Sequence, residues 1–265
     1  MQLTRQGKIS YLKPQWVDRF PLWAGFSTRN GGISRPPFNS LNFGFNTDDA
    51  ACNVERNRST LCRAFDIAPQ NLLTVQQAHG TDILAIDEPN DDLSHFLSLE
   101  CDAVITNQPR IMLGILVADC FPVLFWHPGA GVIAAAHVGW RGAAGGLIGK
   151  VLEALAGLFR ADGQGLYCAI GPGISAAHYE VDRTVKETFG PSGVGWEQIA
   201  WEKTFGRWRL DLGKCCRLQL EQGGVDPARI VYNPDFCTFA QRELFFSYRR
   251  DNGQTGRQIG FIMIK

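Results

Sequence analysis

Three apolar runs follow one another between residues 111 and 138, and they restrict the fold more than any other part of the chain. They read IMLGILVA (111–118), PVLFW (122–126) and GVIAAAH (131–137). A strand with water on one face alternates apolar and polar side chains, whereas these runs are apolar at nearly every position. The pattern therefore predicts strands that are covered on both faces, inside a layered structure.

Other short runs typical of strands alternate with segments of helical spacing. The additional predicted strands are LLTVQ (72–76), DILAI (82–86), DAVIT (102–106), LYCAIG (166–171), RIVYN (229–233) and GRQIGFIMIK (256–265). The predicted helices end at about Phe65 and cover about 145–160, 182–189 and 212–222. Because the two kinds of element interleave with no linker or fixed repeat, we predict an α/β fold, with mixed β-sheets flanked by helices in a single domain over residues 1–265.

A long segment near the N-terminus, GFSTRNGGISRPPFNSLNFGFN (25–46), is rich in Gly, Asn, Ser and Pro, which favour turns over regular structure. Ordered loops of this length are often functional. Asp48 or Asp49 is expected to cap the helix that follows. In that helix Asn57 and Arg58 lie on a different face from the apolar side chains.

The composition narrows the class of partner and the compartment. The 26 basic side chains equal the 26 acidic ones, so no overall positive field favours nucleic acid or an anionic membrane. No apolar run reaches the length of a membrane helix, and the N-terminus lacks a signal-peptide pattern. The eight cysteines are scattered without the spacing of a disulfide scaffold. We therefore expect a cytoplasmic protein with reduced thiols and a small-molecule ligand.

Two of the five histidines and one cysteine follow or end buried strands. His79 ends VQQAHG, Cys120 ends ILVADC and His137 ends VIAAAH. Such positions can converge at one edge of a sheet, where two imidazoles and a thiolate form a zinc shell with an open fourth position. Two alternatives stay open, because no local motif such as C-x-x-C is present. The three residues are ordinary core residues, or Cys120 is a nucleophile with His137 as its base.

The other histidines are weaker candidates. His95 lies in the acidic stretch NDDLSHF and is expected to be solvated, and His127 precedes a turn at Pro-Gly-Ala-Gly. His178 follows the GPGIS turn and is a candidate to face the site.

Several charged and aromatic residues near the three predicted ligands could contact an anion or a planar group. Arg141 is flanked by Gly-Trp and Gly at a predicted helix start, which suits a phosphate or carboxylate, or else it is a surface residue. Trp140 is a candidate to stack on a planar ligand. Asp119 orients a ligand, acts as an acid or base, or only caps a strand end. Arg249 and Arg250 form a solvated face or supply charge to an anionic substrate.

The ordered set of motifs resembles one known family. The segments are QAHG, ADCFPVLF, AAHVGWRG, AIGPGIS followed by HYEV, and FFSYRRDNGQTGR, with STRNGGIS, SLNFGFN and Asn57-Arg58 upstream. Together they are similar to the bacterial laccase-domain family, whose members are named polyphenol oxidase, purine nucleoside phosphorylase and peptidoglycan-editing factor. The resemblance implies a mixed α/β fold similar to the catalytic domain of Rho-deamidating toxins. It also implies zinc held by His79, Cys120 and His137, with copper as the alternative ion.

The resemblance implies several activities, which chemistry can rank. A conventional multicopper oxidase needs about ten histidines, largely in His-X-His pairs, whereas this chain has five and no such pair. We therefore expect a zinc-dependent phosphorylase of adenosine, inosine, guanosine and methylthioadenosine with adenosine deaminase side activity. The alternatives are a hydrolase that removes a wrong amino acid from nucleotide-linked muramic acid, and a copper-dependent polyphenol oxidoreductase.

Under the nucleoside hypothesis, each candidate residue is assigned either to catalysis or to substrate binding. Cys120, Asp119 and Arg141 are the expected catalytic residues. The expected substrate-binding residues, for nucleoside and phosphate, are Arg58, Trp140, His178 and Arg249.

Overall fold

The structure is a computed structural model and describes residues 1–88, 92–189 and 193–265. The strands, in chain order, are β1 Gln2–Gln6, β2 Ile9–Lys13, β3 Leu22–Ser27, β4 Leu72–Leu73, β5 Ile83–Ile86, β6 Ala103–Thr106, β7 Met112–Val117, β8 Phe121–His127, β9 Val132–Val138, β10 Tyr167–Ile170, β11 Glu180–Asp182, β12 Ala200–Thr204, β13 Arg207–Leu210, β14 Ile230–Tyr232 and β15 Gln258–Ile264. The α-helices are α1 Ala51–Ala64, α2 Trp140–Ala144, α3 Leu147–Phe159, α4 Arg183–Thr188, α5 Trp196–Ile199 and α6 Leu212–Gln222.

Within the described ranges, the strands form two six-stranded sheets and one three-stranded sheet. The first sheet has the order β1-β2-β3-β15-β7-β4, and the second has the order β14-β10-β8-β9-β6-β5. Most neighbours are antiparallel, but β4 and β7, β5 and β6, and β10 and β14 run parallel. This confirms the predicted mixed sheets. The small third sheet has the order β11-β13-β12.

The two large sheets pack face to face, and helices cover their outer faces. Between the sheets, Leu113 and Ile115 of β7 meet Leu124 of β8 and Ile133 of β9 in one apolar cluster. Side chains that alternate with these point the other way, and Val123 packs beneath helices α3 and α6. Helix α1 covers the outer face of the first sheet. Both faces of β7, β8 and β9 are therefore buried, which explains why their sequences are continuously apolar.

The predicted elements are largely present, with three differences. The run 72–76 forms only a two-residue strand, and its last residue, Gln76, pairs instead in an isolated bridge with Glu100. The first helix begins at Ala51 after Ala50, which makes no side-chain cap, so the expected cap at Asp48 or Asp49 is wrong. Strands β1 and β2 and the β11–β13 sheet were not predicted, because their polar or short sequences carry no strong apolar period. Strand β3 was missed because residues 25–27 were assigned to the loop, which begins only after Ser27.

The long loop after β3 is ordered by one buried side chain of α1. The Asn57 amide donates to Ser34 Oγ and to the carbonyls of Ser40 and Asn42, and its oxygen accepts from the backbone N–H of Ile33. The side chain of one asparagine thus makes the hydrogen bonds that backbone groups in a helix or sheet make with one another. This arrangement holds the loop over the edge of the first sheet, beside Arg58.

The cysteines and the helices agree with the expectations from composition. All eight cysteines are free thiols, and six of them are buried, while Cys120 is half-buried and Cys52 is exposed. In the described part of the chain, no helix has both the length and the apolar character needed to span a bilayer.

Candidate metal centre

Strand pairing brings His79, Cys120 and His137 together, as the sequence predicted. In the antiparallel pair β8 and β9, Pro122 lies opposite His137, so Cys120, two residues before Pro122, lies beside the end of β9. His79 comes from the loop after β4, which is tied to the chain before β6 by the bridge between Gln76 and Glu100. The three ligand atoms all lie within 4.8 Å of one another.

One carboxylate, that of Asp102, holds two of the three ligands in place. Asp102 Oδ1 lies 2.8 Å from His137 Nδ1 and accepts the backbone N–H of His79 at 3.0 Å. Asp102 Oδ2 accepts the backbone N–H groups of Ala78 at 3.2 Å and Gly80 at 2.6 Å. The backbone of His79 has a positive φ of 60°, an uncommon conformation that these hydrogen bonds stabilise. Since Asp102 occupies Nδ1 of His137, Nε2 is left to face the cluster.

A glycine fits closely where β9 leaves the cluster. A Cβ added to Gly139 would lie 3.1 Å from Cys120 Sγ and 3.2 Å from His79 Cδ2. A side chain here would therefore press against two ligands at once, which would have to move by a few tenths of an ångström. This is the physical reason for the glycine in the sequence HVGWRG.

The ligands interact strongly with one another in the absence of an ion. Burial alone would raise the pKa of the Cys120 thiol, but the adjacent His137 and His79 rings outweigh it and lower the pKa to about 6. Burial alone would lower the pKa of His137, but the Cys120 thiolate and the Asp102 carboxylate raise it to about 9. The pair therefore favours a thiolate next to an imidazolium at neutral pH, and a cation can take the place of the His137 proton.

The donor set fits a zinc ion. Zinc bonds of about 2.0–2.3 Å at tetrahedral angles place ligand atoms about 3.5 Å apart, and the 4.8 Å limit observed here requires only a small inward movement. Two nitrogens, one sulfur and a carboxylate on the outer nitrogen of a histidine form the arrangement usual for zinc. Three protein ligands leave one coordination position for a small molecule.

Asp119 forms the turn that positions Cys120. Its φ is +93°, and it is only 8% exposed. Its Oδ1 accepts the hydroxyl of Thr238 at 2.6 Å, and its Oδ2 accepts the backbone N–H of Arg249 at 2.7 Å. Its carbonyl accepts the N–H of Ile174 at 2.9 Å. Asp119 thus joins three distant segments around the cluster.

The cluster lies in a cavity of about 940 Å³, at the upper end of the usual range for small-molecule sites. Its lining includes His79, Cys120 and His137, and among the described residues it carries three arginines and one carboxylate. They are Arg58, Arg249, Arg257 and Asp119. Because three guanidinium groups outnumber one carboxylate, the wall of the cavity is cationic.

Of the arginines predicted near the site, two line the cavity, one lies outside it, and one holds the loop around it. Arg58 lines the cavity, donates to the Phe43 carbonyl and to Thr74 Oγ1, and lies over the Phe45 ring at 4.5 Å. Arg249 also lines the cavity, and its Nη1 donates to the Glu180 carbonyl.

Arg141 and Trp140 lie just outside this cavity. Arg141 is exposed at the start of the short helix α2, and its guanidinium lies 4.3 Å from the Trp140 ring centre. Neither residue is part of the cavity lining. The His178 ring stacks on Phe239 with centroids 4.5 Å apart, and it too is outside the lining.

The interpretation of Arg249 and Arg250 as one solvated face is wrong for Arg250, whereas Arg249 is exposed. Arg250 pairs with Asp251 at 2.8 Å, and it also donates to the carbonyls of Thr238, Phe239 and Phe245. Arg250 therefore stabilises the loop around the cavity through these contacts, while Arg249 lines the cavity. The expectations for His95 and His127 hold, since His95 is exposed and His127 accepts the Ala130 N–H within its turn.

Sequence reasoning missed four residues of the site. Asp102 sits within a predicted strand, DAVIT, and only the alignment of Ala103 with Ala136 in β6 and β9 shows that it meets His137. Arg257, Tyr179 and Tyr248 line the cavity but come from the motifs TGR, HYEV and SYRR, which were noted for other residues. The sequence signal that could have found these three residues is that each is a polar side chain within a motif already singled out.

Comparison with known proteins places the chain among relatives of one kind. It matches the model of the family described as "Multi-copper polyphenol oxidoreductase laccase" over residues 23–265. It is 35% identical over 244 residues to the purine nucleoside phosphorylase YlmD of Geobacillus stearothermophilus, covering 90% of this chain and 89% of that protein. It is 34% identical over 252 residues to the purine nucleoside phosphorylase YfiH of Escherichia coli K12, covering 95% and 97%.

Solved structures agree over almost the whole length. The crystal structure of the Bacillus licheniformis hypothetical protein YfiH has a TM-score of 0.90 at 30% identity, covering 98% of this chain and 97% of that one. The crystal structure of YlmD from Geobacillus stearothermophilus has a TM-score of 0.90 at 31% identity, covering 100% and 98%. The chain therefore belongs to the laccase-domain family that the matching model describes.

Proposed function

We propose that this protein is a zinc-dependent purine nucleoside phosphorylase acting on adenosine, inosine, guanosine and methylthioadenosine, with adenosine deaminase side activity. The observation that carries the proposal is the His79–Cys120–His137 cluster, which opens into a cavity with a cationic wall. The names of the relatives from Geobacillus stearothermophilus and Escherichia coli support the same reaction class. In this proposal, residues 1–265 act as one domain.

The reaction needs an anion, a sugar and a purine in one cavity. Hydrogen phosphate attacks C1′ of the ribose, the C1′–N9 bond breaks, and its electron pair goes to the purine nitrogen. The proton of hydrogen phosphate balances the proton that the leaving purine gains, so the products are ribose 1-phosphate and the free base. Positive charge around the phosphate and a proton donor near the purine are therefore the contributions required from the protein.

The residues of this chain can supply these contributions. Arg58, Arg249 and Arg257 provide the positive wall that binds phosphate. The rings of Phe45 and Tyr248, which are 50% and 55% exposed, border the cavity and offer faces for a purine. A bound zinc ion would supply Lewis acidity at its open coordination position.

Two of the catalytic residues proposed from the sequence, Cys120 and Asp119, lie in the cavity wall. Cys120 holds the ion as a thiolate, and Asp119 fixes the turn that presents Cys120. Arg141 and Trp140 follow Gly139 in the chain and lie outside the cavity lining, and their roles in catalysis and substrate binding remain part of the proposal. His178 also lies outside the lining, and its role in substrate binding remains part of the proposal.

A thiolate ligand also bears on the compartment. The eight free cysteines and the lack of any disulfide among the described residues suit a reducing environment. We place the enzyme in the cytoplasm on this ground.

The test compares metal content and turnover in matched cysteine variants. Cys120→Ala should lose bound zinc and phosphate-dependent release of purine, whereas Cys52→Ala, an exposed cysteine on α1, should keep both. Copper-loaded protein assayed with a phenol provides the comparison for the alternative ion. Full zinc content and full phosphorolysis in Cys120→Ala would refute the site, and inosine as the only product from adenosine would favour deamination.

A further inference from the structure

Arg257 lies in the cavity wall with one edge of its guanidinium unused. Its Nη1 donates to the carbonyls of Thr255 at 3.0 Å and Gly256 at 3.1 Å. No described residue accepts a hydrogen bond from its Nε or Nη2. This edge is the one through which arginine binds two oxygens of a carboxylate or phosphate at once.

Arg58 is fixed to the same short backbone segment. Its Nε and Nη2 donate to the Phe43 carbonyl at 3.0 and 2.9 Å, and its Nη1 donates to Thr74 Oγ1 at 3.0 Å. The Phe43 N–H in turn donates to the Arg257 carbonyl at 3.0 Å.

Gly44 lets the second arginine approach this segment. A Cβ on Gly44 would lie 2.7 Å from Arg257 Cγ. The segment Phe43–Gly44 therefore holds both arginines before any ligand arrives, and a fixed pair of cations loses little entropy on binding an anion.

The positive charge of this pair is only partly offset inside the protein, where the Cys120 thiolate and the Asp119 carboxylate act on Arg257 without forming a salt bridge to it. Neither arginine forms a salt bridge with a described carboxylate, and the Asp119 oxygens accept from Thr238 and Arg249 instead. Burial lowers the pKa of both guanidinium groups, and that of Arg58, at about 10, leaves it charged at neutral pH. Partly desolvated cations without a carboxylate partner gain when an anion binds.

The other candidate arginines are less suited to the same role. Arg249 is exposed, whereas Arg58 and Arg257 are half-buried, and Arg141 is exposed outside the cavity. The aromatic rings near the pair add a preference for a ligand with a planar part, since Phe45 lies against Arg58 and Tyr248 lies 5.7 Å from Arg257.

We infer that Arg257 and Arg58 form an oxyanion subsite for a phosphate group, either inorganic phosphate or the phosphate ester of a nucleotide. The inorganic form rests on the proposed phosphorolysis. The ester form does not depend on it.

The test is direct binding to the zinc-loaded protein, which needs no turnover. Inorganic phosphate and adenosine 5′-monophosphate are titrated separately by calorimetry into the wild type and Arg257→Lys, which keeps the charge but loses the fork. A lost charge-assisted, two-point contact predicts binding about 10- to 100-fold weaker. Arg242→Gln is the matched control, because Arg242 is 71% exposed and does not line the cavity.

Each outcome has one meaning. Weaker phosphate binding in Arg257→Lys supports the subsite with inorganic phosphate, and weaker binding of the nucleotide alone supports it with an ester. Unchanged binding of both ligands, or a loss in Arg141→Gln instead, overturns the inference. Retained zinc in Arg257→Lys shows that the variant is folded at the cluster. A wild type that binds phosphate at this subsite but releases no purine would refute the proposed function and leave the subsite standing.

Discussion

Replacing Asp102 by Asn tests how the cluster is held, because all four contacts of this carboxylate come from hydrogen-bond donors. Oδ1 is shared by His137 Nδ1 and the His79 N–H, and Oδ2 by the Ala78 and Gly80 N–H groups. An amide has only one oxygen. Either orientation therefore turns its NH₂ group toward two donors.

The magnitude follows from these contacts. The two groups left without an acceptor cost about 1–3 kcal/mol each in unfolding free energy, reduced by any relaxation of the loop. For metal binding, loss of the carboxylate behind a histidine ligand is expected to weaken the zinc affinity about 10- to 100-fold. At 1.36 kcal/mol per tenfold this corresponds to about 1.4–2.7 kcal/mol.

The assay is zinc competition with a chromophoric chelator, together with the visible absorption spectrum of the cobalt-substituted protein. Asp82→Asn is the matched control, because Asp82 is an exposed neighbour in the same region. We expect a weaker affinity and an altered cobalt spectrum only in Asp102→Asn. If a folded Asp102→Asn bound zinc within twofold of the wild type with the same spectrum, the positioning role would be refuted.

Three further predictions test separate parts of the structure. Gly139→Ala should lose zinc while staying folded, measured by metal analysis and circular dichroism, because its Cβ would lie 3.1 Å from Cys120 Sγ; full zinc occupancy would contradict this. In metal-free protein the pKa of Cys120, lowered to about 6, keeps the thiolate form above that pH, so alkylation of Cys120 by iodoacetamide should already be near its plateau at pH 7.5; a rate still rising steeply up to pH 9 would contradict it. Arg250→Gln should lower the unfolding free energy by about 3 kcal/mol and the midpoint by about 6–12 °C, because it removes an ion pair and three carbonyl contacts; a midpoint within 2 °C of the wild type in calorimetry would count against the bracing role.

The sequence predicts those parts of the fold whose signal is local. The runs between residues 111 and 138 form β7, β8 and β9, because burial on both faces leaves continuous apolar runs of strand length. Helix α6 was predicted with its observed limits, Leu212–Gln222. The hairpin of β1 and β2 was missed, because an exposed strand such as QLTRQ at the edge of a sheet buries too little to show a period.

The sequence predicts those site residues whose type is rare in the chain. It does not reveal those whose role depends on how the strands pair. Five histidines could be examined one by one, and the two that follow apolar strands, together with Cys120, proved to form the cluster. Asp102 is one of many acidic residues, and its role depends on the register of β6 against β9. Arg257 becomes visible only when the last strand brings it against Phe43, more than two hundred positions away in the chain.

The most direct test of the central claim is ³¹P NMR of the zinc-loaded wild type with inosine and inorganic phosphate. We expect a ribose 1-phosphate signal that grows at the expense of inorganic phosphate, in equal amount to the hypoxanthine released, and that is absent after the zinc is removed. Zinc-loaded protein that binds both substrates and forms no phosphate ester would contradict the account.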